Sequence, residues 1–321
     1  MRSEIDSNPS LRYLFALLLA ALMASGLVLY LYEPDSSAIM AGATAEKARS
    51  FNGGKYEASG VAYVRGTDGV LFVDDGKPGE VQWMRIDAGG NQVGPVRAVR
   101  LGVNIEDLEG ITTDGSHFYV VNSQSKRKSA EQIGLVRFKF NPEGPSAEAV
   151  ETISALKRLL VENVAELRGM ADVKAKDDGI NIEGLAWDPT QGQLLLGLRS
   201  PVMDGNALIV PLKLRDPAGA FSPENVEMGA VIRVSLRGNG IRSIEYDEQS
   251  KLFQIVSGAT ETQDKTEFKL WEWGGPAAQS QPREVATFDR DLKAEGVARA
   301  QVGDSSFTIV VFDTSRYMVT Q

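Results

Sequence analysis

The 321-residue chain has no cysteine and one histidine. Without thiols there is no disulfide framework, iron–sulfur cluster, thiolate zinc site or cysteine nucleophile. A single imidazole, His117, is too few for a histidine-based zinc site. Positive charge is scarce as well, 34 Lys and Arg against 43 Asp and Glu for a net charge of -9. Such a chain offers no broad surface to a phosphate backbone, which excludes nucleic acid as a partner. No P-loop or GxGxxG stretch is present. The 43% of hydrophobic residues is ample for one large or two ordinary cores and excludes a disordered chain.

One apolar run is long. From Tyr13 to Tyr32 no residue is charged, and as a helix this stretch would span about 30 Å, the thickness of a bilayer's hydrocarbon core. Arg2 and Arg12 precede it, and Glu33 and Asp35 follow. The basic-side rule then leaves residues 1–12 in the cytoplasm, anchors the chain in a bacterial inner membrane by a single pass through residues 13–32, and puts the body in the periplasm or outside the cell. The alternative is a cleavable signal peptide ending near Ala24, although the apolar run continues past that point. No cysteine follows that could carry a lipid. Residues 33–52, rich in Ala, Ser and Gly, read as a tether.

Residues 53–321 repeat one pattern five times: a small residue, an apolar alternating run, a turn and a second apolar run. The copies begin at Ser59-Gly60, Glu109-Gly110, Glu183-Gly184, Ser243-Ile244 and Glu295-Gly296. Each holds a hairpin such as GLAWD…LLLGLRS, usually followed by further strand material such as EFKLWEW. Four strands per unit at this period predict an all-β fold, a β-propeller of five four-stranded blades, alternatively six if a degenerate blade lies within residues 201–240. Closure is expected between residues near Phe51 to Tyr56 and the C-terminal YMVT strand, because an open ring would expose sheet edges. One stretch departs from the pattern. Val150, Ile153, Leu156, Leu160, Val164 and Leu167 recur at three and four, predicting an inserted amphipathic helix over about 146–169. Trp83, Trp187, Trp271 and Trp273 fall in strands and read as blade packing rather than a sugar-stacking platform.

The innermost strand of a blade starts at one rim, and the next strand returns to it. The residue before each repeat glycine (Ser59, Glu109, Glu183, Glu295) should therefore share a channel mouth with the ends of the second strands. These ends are Asp74 and Asp75, Asn122 and Ser123, Arg199 and Ser200, Ser257, and Asp313 and Thr314. Two chemistries suit the acids. They could hold Ca²⁺ or Mg²⁺ through Glu109, Glu183, Glu295, Asp313 and Asp75. Alternatively each Glu accepts hydrogen bonds from backbone donors of the adjacent blade, while Gly allows close strand approach. Arg199 and Arg316, at matching strand ends, could neutralise the glutamates or hold an anion, so Glu109, Glu183, Glu295, Arg199, Asn122 and Arg316 are the candidate ligand-binding residues. His117 lies in a turn at the opposite rim, away from any serine at the mouth, which argues against a Ser-His-Asp relay. The Lys126-Arg127-Lys128 run reads as a solvated loop.

The segments EASGVAYV, DLEGITTDGSHFYVVNSQS and NIEGLAWDPTQGQLLLGLRSP resemble a bacterial family known as a domain of unknown function, number 3616, and are more loosely similar to phytase-like esterase-type propellers. The likeness covers most of residues 55–215 and returns at AEGVA. In that family a serine–histidine pairing often occupies the stretch that here reads Asn122-Ser123-Gln124-Ser125, so an activity needing that histidine is in doubt. The resemblance implies a propeller without an assigned reaction. The residues favour an exported, membrane-tethered propeller that binds a small ligand or an envelope protein at an acidic mouth, without an established reaction and with Ca²⁺ or Mg²⁺ as the only cofactors the acids suggest. One alternative is a divalent-metal-dependent hydrolase of phosphoesters, esters or lactones; another is a structural envelope scaffold.

Overall fold

The computed structural model describes residues 47–126, 132–263, 267–278 and 280–320. The expected membrane span over 13–32 and most of the tether lie outside the described residues. Among the described residues no helix is long and apolar enough to cross a membrane.

The described residues form five antiparallel sheets. A two-residue strand, β1 (Arg49–Ser50), opens the chain. The first blade is β2 (Ala58–Val64), β3 (Gly69–Asp74), β4 (Glu80–Arg85) and β5 (Arg97–Arg100). The second is β6 (Leu108–Thr113), β7 (Phe118–Asn122), β8 (Ile133–Asn141) and β9 (Ser146–Ser154), followed by helix α1 (Leu156–Asn163). The third is β10 (Asn181–Asp188), β11 (Gln193–Ser200) and β12 (Ala207–Leu214), whose outer edge is shared by β13 (Val226–Met228) and β14 (Ile232–Val234). The fourth is β15 (Gly240–Asp247), β16 (Leu252–Gly258), β17 (Phe268–Trp273) and β18 (Arg283–Phe288). The fifth is β19 (Ala294–Val302), β20 (Ser305–Phe312) and β21 (Arg316–Thr320), and its outer strand is β1. The propeller is therefore five-bladed, and residues 201–240 complete the third blade rather than adding a sixth.

Closure uses the expected C-terminal strand, and the strand that pairs with it lies immediately ahead of Phe51. Arg49 and Ser50 pair with Tyr317 and Arg316, and the residues after them contribute side chains. Phe51 stacks on Phe72 at 4.9 Å, and Tyr56 meets Phe72 edge-on at 5.4 Å. The expected helix over 146–169 is also corrected. Ser146–Ser154 is β9, paired along β8, and only Leu156–Asn163 is α-helical. Val150, Thr152 and Ile153 are β-branched and suit an open sheet edge that needs a fourth strand. Ala155, in the left-handed region at φ 58°, separates strand from helix. The helix buries Leu156 and Leu160 between the second and third blades.

The core is divided into five apolar clusters, one in each gap between neighbouring blades. Trp83, Trp271 and Trp273 are each 3% exposed within them, as expected of blade packing. The gaps are narrowest beside the channel, where inner strands touch at the repeat glycines. A Cβ on Gly60 would lie 2.9 Å from the Glu109 carbonyl oxygen, and one on Gly110 would lie 2.7 Å from Leu185 Cβ. A Cβ on Gly296 would collide with the Ser59 carbonyl. His117 sits in the β6–β7 turn with Nδ1 3.6 Å from Asp114, at the rim opposite the strand starts, as read from the sequence.

Gly296→Ala is expected to cost about 1–3 kcal/mol, the usual penalty of overpacking. Gly144→Ala, with nothing within 4 Å of its Cβ, should leave the melting temperature nearly unchanged. Thermal denaturation of the two variants beside the parent checks this, and equal effects would contradict the close-contact reading.

Candidate functional site: the channel mouth

Every inner strand breaks register with its neighbour at the same place. The shifts fall between Ala58 and Val61, Leu108 and Gly110, Ile182 and Gly184, Ile241 and Ser243, and Ala294 and Gly296. The residues inside these bulges are Ser59 with Gly60, then Glu109, Glu183, Arg242 and Glu295. A β-bulge re-aims a side chain out of the normal alternation. Here the bulges bring Ser59, Glu109, Glu183, Arg242 and Glu295 to the wall of one cavity of about 900 Å³ at the channel mouth. The carboxylates expected to converge from distant parts of the chain do so.

Arg242 holds the ring together. Its Nη1 donates to Glu183 Oε2 at 3.0 Å and to Glu295 Oε1 and Oε2 at 2.9 and 3.0 Å. Arg199 Nη1 donates to Glu183 Oε1 at 2.9 Å, while its Nε donates to the Ala259 carbonyl of the next blade at 3.0 Å. Asn181 Nδ2 also donates to Glu183 Oε1, at 3.0 Å. Glu183 and Glu295 are 3% and 8% exposed, so these charge-assisted bonds lie in a low-dielectric setting where they are strong. The donors are side chains, not the backbone groups of the adjacent blade that the sequence suggested. Among the described residues no donor hydrogen-bonds the carboxylate of Glu109, and no group of three or more Asp, Glu or His side chains is arranged to hold a metal ion.

The second strands contribute as expected at three positions. Arg199, Asp75 and Asp313 line the cavity, and Asp313 is paired with Lys293. Two candidates lie elsewhere. Asn122 is buried and donates to the Ile133 carbonyl at 3.2 Å, tying β7 to β8 instead of facing the mouth. Arg316 is the first residue of β21, beyond the turn at the end of the second strand. It lines a separate cleft of about 700 Å³ at the seam between the first and fifth blades. In the Asn122–Ser125 stretch, Ser123 donates to Asp107 and accepts from the Ser125 N–H at 3.1 Å. Lys126 lies 3.4 Å from Glu106, and Arg127 and Lys128 are outside the described residues.

Arg242, Glu57 and Lys293 were missed by the sequence reading, and all three line the cavity. Arg242 had a signal. GIRSIEYD laid on NIEGLAWD puts it in the column of Glu183, but Ser243 stands where the other copies have glycine, which shifts the apparent start of the fourth copy one residue late.

Crowding of acids shifts their protonation. Burial, and then Glu183, Glu295, Asp107 and Asp75, hold the Glu109 carboxyl well above the usual carboxylate range. Burial pushes Glu295 up to about 8, opposed by Arg242 and assisted by Glu183. Burial pushes Asp75 up to about 7, helped by Glu57, Asp74 and Asp313. For Arg242 burial disfavours the charge, but Glu183, Glu295 and Glu109 outweigh it and its pKa is raised. A second cavity, of about 1020 Å³, opens at the opposite rim. Its charges are largely matched to one another, as in Arg65–Glu248 at 2.6 Å, and at its floor Thr112 Oγ1 donates to Glu245 at 2.9 Å.

Fold and site define a five-bladed propeller with an acidic, arginine-bridged mouth. The family described as "Protein of unknown function (DUF3616)" matches residues 145–317, more than half of the chain, and the chain belongs to that family. The match lies further toward the C-terminus than the 55–215 stretch that carried the resemblance. No curated protein matches by sequence. Among solved structures the chain is similar to the PQQ domain of pyranose dehydrogenase from Coprinopsis cinerea, with 10% identity, 85% of this chain and 95% of that one, and a TM-score of 0.48. It is similar to the Cps50 (Swd1) β-propeller domain of Myceliophteria thermophila, with 9% identity, 85% and 98% coverage, and a TM-score of 0.41. An auxiliary nutrient binding protein from Bacteroides thetaiotaomicron matches at 11% identity and a TM-score of 0.41; there 84% of this chain spans 57% of that one.

Arg242→Met is expected to destabilise the protein by about 3–5 kcal/mol, because it leaves Glu183 and Glu295 buried without their shared cation. Chemical denaturation measures this, and a loss below about 1 kcal/mol would contradict the bridging role. A pH dependence also follows. Asp75 and Glu295 bind protons more tightly folded than unfolded, so the folded state holds more protons and loses stability as pH rises. Their contribution is complete below about pH 4, the unfolded range, and is lost as pH passes about 7 for Asp75 and about 8 for Glu295. The melting temperature should fall from pH 5 to about pH 8, and Asp75→Asn should lack the part of that decline that is complete near pH 7.

Proposed function

We propose that the chain is a binding propeller whose mouth takes a small ligand through a cationic or hydrogen-donating group, in the exported, membrane-anchored setting expected from residues 13–32. The observation that carries this reading is Glu109. Its two ring neighbours are neutralised by Arg242 and Arg199, whereas Glu109 faces a ligand-sized cavity with no donor among the described residues. A cationic group there supplies the missing partner and draws the proton from a carboxyl whose pKa is raised, so binding releases protons.

A divalent ion is the second candidate occupant. Asp75, Glu57 and Asp313 line one cavity, and Asp75 is hydrogen-bonded to Glu57, but among the described residues these acids are not arranged as a ready-made ion site and would have to draw together around it. An ion held there would be the starting point for the hydrolase alternative. Less supports that reading, because Arg242 already occupies Glu183 and Glu295. The scaffold alternative predicts that ring variants change stability and no binding.

Calorimetric titration at pH 7.5 with spermidine, in two buffers of different ionisation enthalpy, tests the main reading. Expected are binding, net proton release, and at least tenfold weaker binding by Glu109→Gln. Equal binding by parent and variant, or none by either, would sink it. Millimolar Ca²⁺ that raises the melting temperature by several degrees, with the gain abolished by Asp75→Asn, would favour the ion instead.

A further inference from the structure

At the rim opposite the mouth, a side chain reaches across the ring. Glu245, on β15 of the fourth blade, meets Thr112 on β6 of the second, two blades away. The direction of that bond is fixed. The Trp187 N–H donates to Thr112 Oγ1 at 3.1 Å, so the single hydroxyl proton goes to Glu245 Oε2 at 2.9 Å. Glu245 Oε1 has no donor among the described residues and is not sealed in, so it opens on the cavity of about 1020 Å³ that Glu245 lines. Burial holds this carboxyl well above the usual carboxylate range; Thr112 and Arg65 oppose the shift, and Asp247 and Glu248 assist it. With its proton on, the carboxyl has an O–H to donate from Oε1.

Around Glu245 the charges cancel. Arg65 is paired with Glu248 and Arg85 with Asp68. The buried Asp247 carboxylate accepts from the Gln249 N–H and from Ser250. Arg97, Arg299 and Glu143 line the same cavity and form no ion pair among the described residues. Four arginines thus face four carboxylates and one carboxyl that keeps its proton. A ligand of either charge is attracted by one set and repelled by the other. The capacity left over is of both kinds. Arg299 commits Nε to Gln249 and Nη1 to Thr308, which leaves Nη2 to donate. The Arg97 guanidinium donates as well, Glu143 accepts, and the Tyr246 hydroxyl, without a partner among the described residues, does either. A hydroxyl group both donates and accepts, and a guanidinium's planar fork spans two neighbouring oxygens. A ring carrying several hydroxyls suits this set, and the cavity has room for one or two such rings.

We propose that the cavity at the rim opposite the mouth is a second binding site, for an uncharged sugar of one or two rings. One sugar hydroxyl accepts from Glu245, and others are shared among Arg97, Arg299 and Glu143.

The test is calorimetric titration of the parent protein with glucose, galactose, mannose, maltose, cellobiose, lactose, sucrose and trehalose, beside glucuronate, glucosamine and N-acetyl-triglycine amide as anionic, cationic and uncharged peptide probes. At least one sugar should bind at least tenfold more tightly than all three of those probes. Glu245→Gln keeps a donor and an acceptor and should bind that sugar within about twofold of the parent, whereas Glu245→Ala should bind it at least tenfold more weakly. Arg97→Gln, a change on an exposed side chain, should weaken binding severalfold, and it decides alone if the alanine variant does not fold. No binding by any sugar, an equally tight glucuronate, glucosamine or peptide, or sugar binding unchanged in Arg97→Gln or in a folded Glu245→Ala overturns the second site and leaves the reading of the mouth untouched. A Glu245→Gln variant as weak as the alanine variant overturns the donor role of Glu245.

Discussion

The inner strands of neighbouring blades lie so close that a single added carbon at Gly60, Gly110 or Gly296 has nowhere to go. That closeness makes a ring of five blades narrow, and the narrowness gives the mouth its chemistry. Bulges at one common position of each inner strand then aim five side chains at one small space. Three of them are glutamates, and at this separation, away from bulk water, they repel one another strongly.

Two devices meet that repulsion. The fourth blade presents an arginine in the glutamate column, and its guanidinium is shared between Glu183 and Glu295. Protonation deals with the rest, since Glu109 and Asp75 hold protons more tightly than free carboxyls do. The ring is therefore an internal ion-pair network on one side and a proton-holding acid wall on the other. Arg199 ties the third blade to the fourth through this network, with one nitrogen on Glu183 and another on the Ala259 carbonyl.

The repeats were legible because blade hairpins alternate with a period of two and end in turn residues. The blade count and the convergence of Glu109, Glu183 and Glu295 followed from that register alone. The helix was misplaced because Val150 and Ile153 are spaced equally well for either structure, and the choice was made by the open edge of β8. Arg316 was assigned to the wrong cleft because a turn of three residues moved it onto the next strand. Arg242 was hidden by the substitution of serine for glycine beside it.

From the order of residues alone came the acidic balance, the lack of thiol and imidazole chemistry, the five-fold repeat and the glutamate column. These are local properties, written in composition and in spacing along one strand. Tertiary structure decided which charges meet, because bulges turn side chains through angles that strand alternation does not encode. Closure also brings residues 183, 242 and 295 within reach of one guanidinium. Whether a carboxylate is paired or left facing an open cavity depends on atoms from several blades, and no single stretch of sequence contains them.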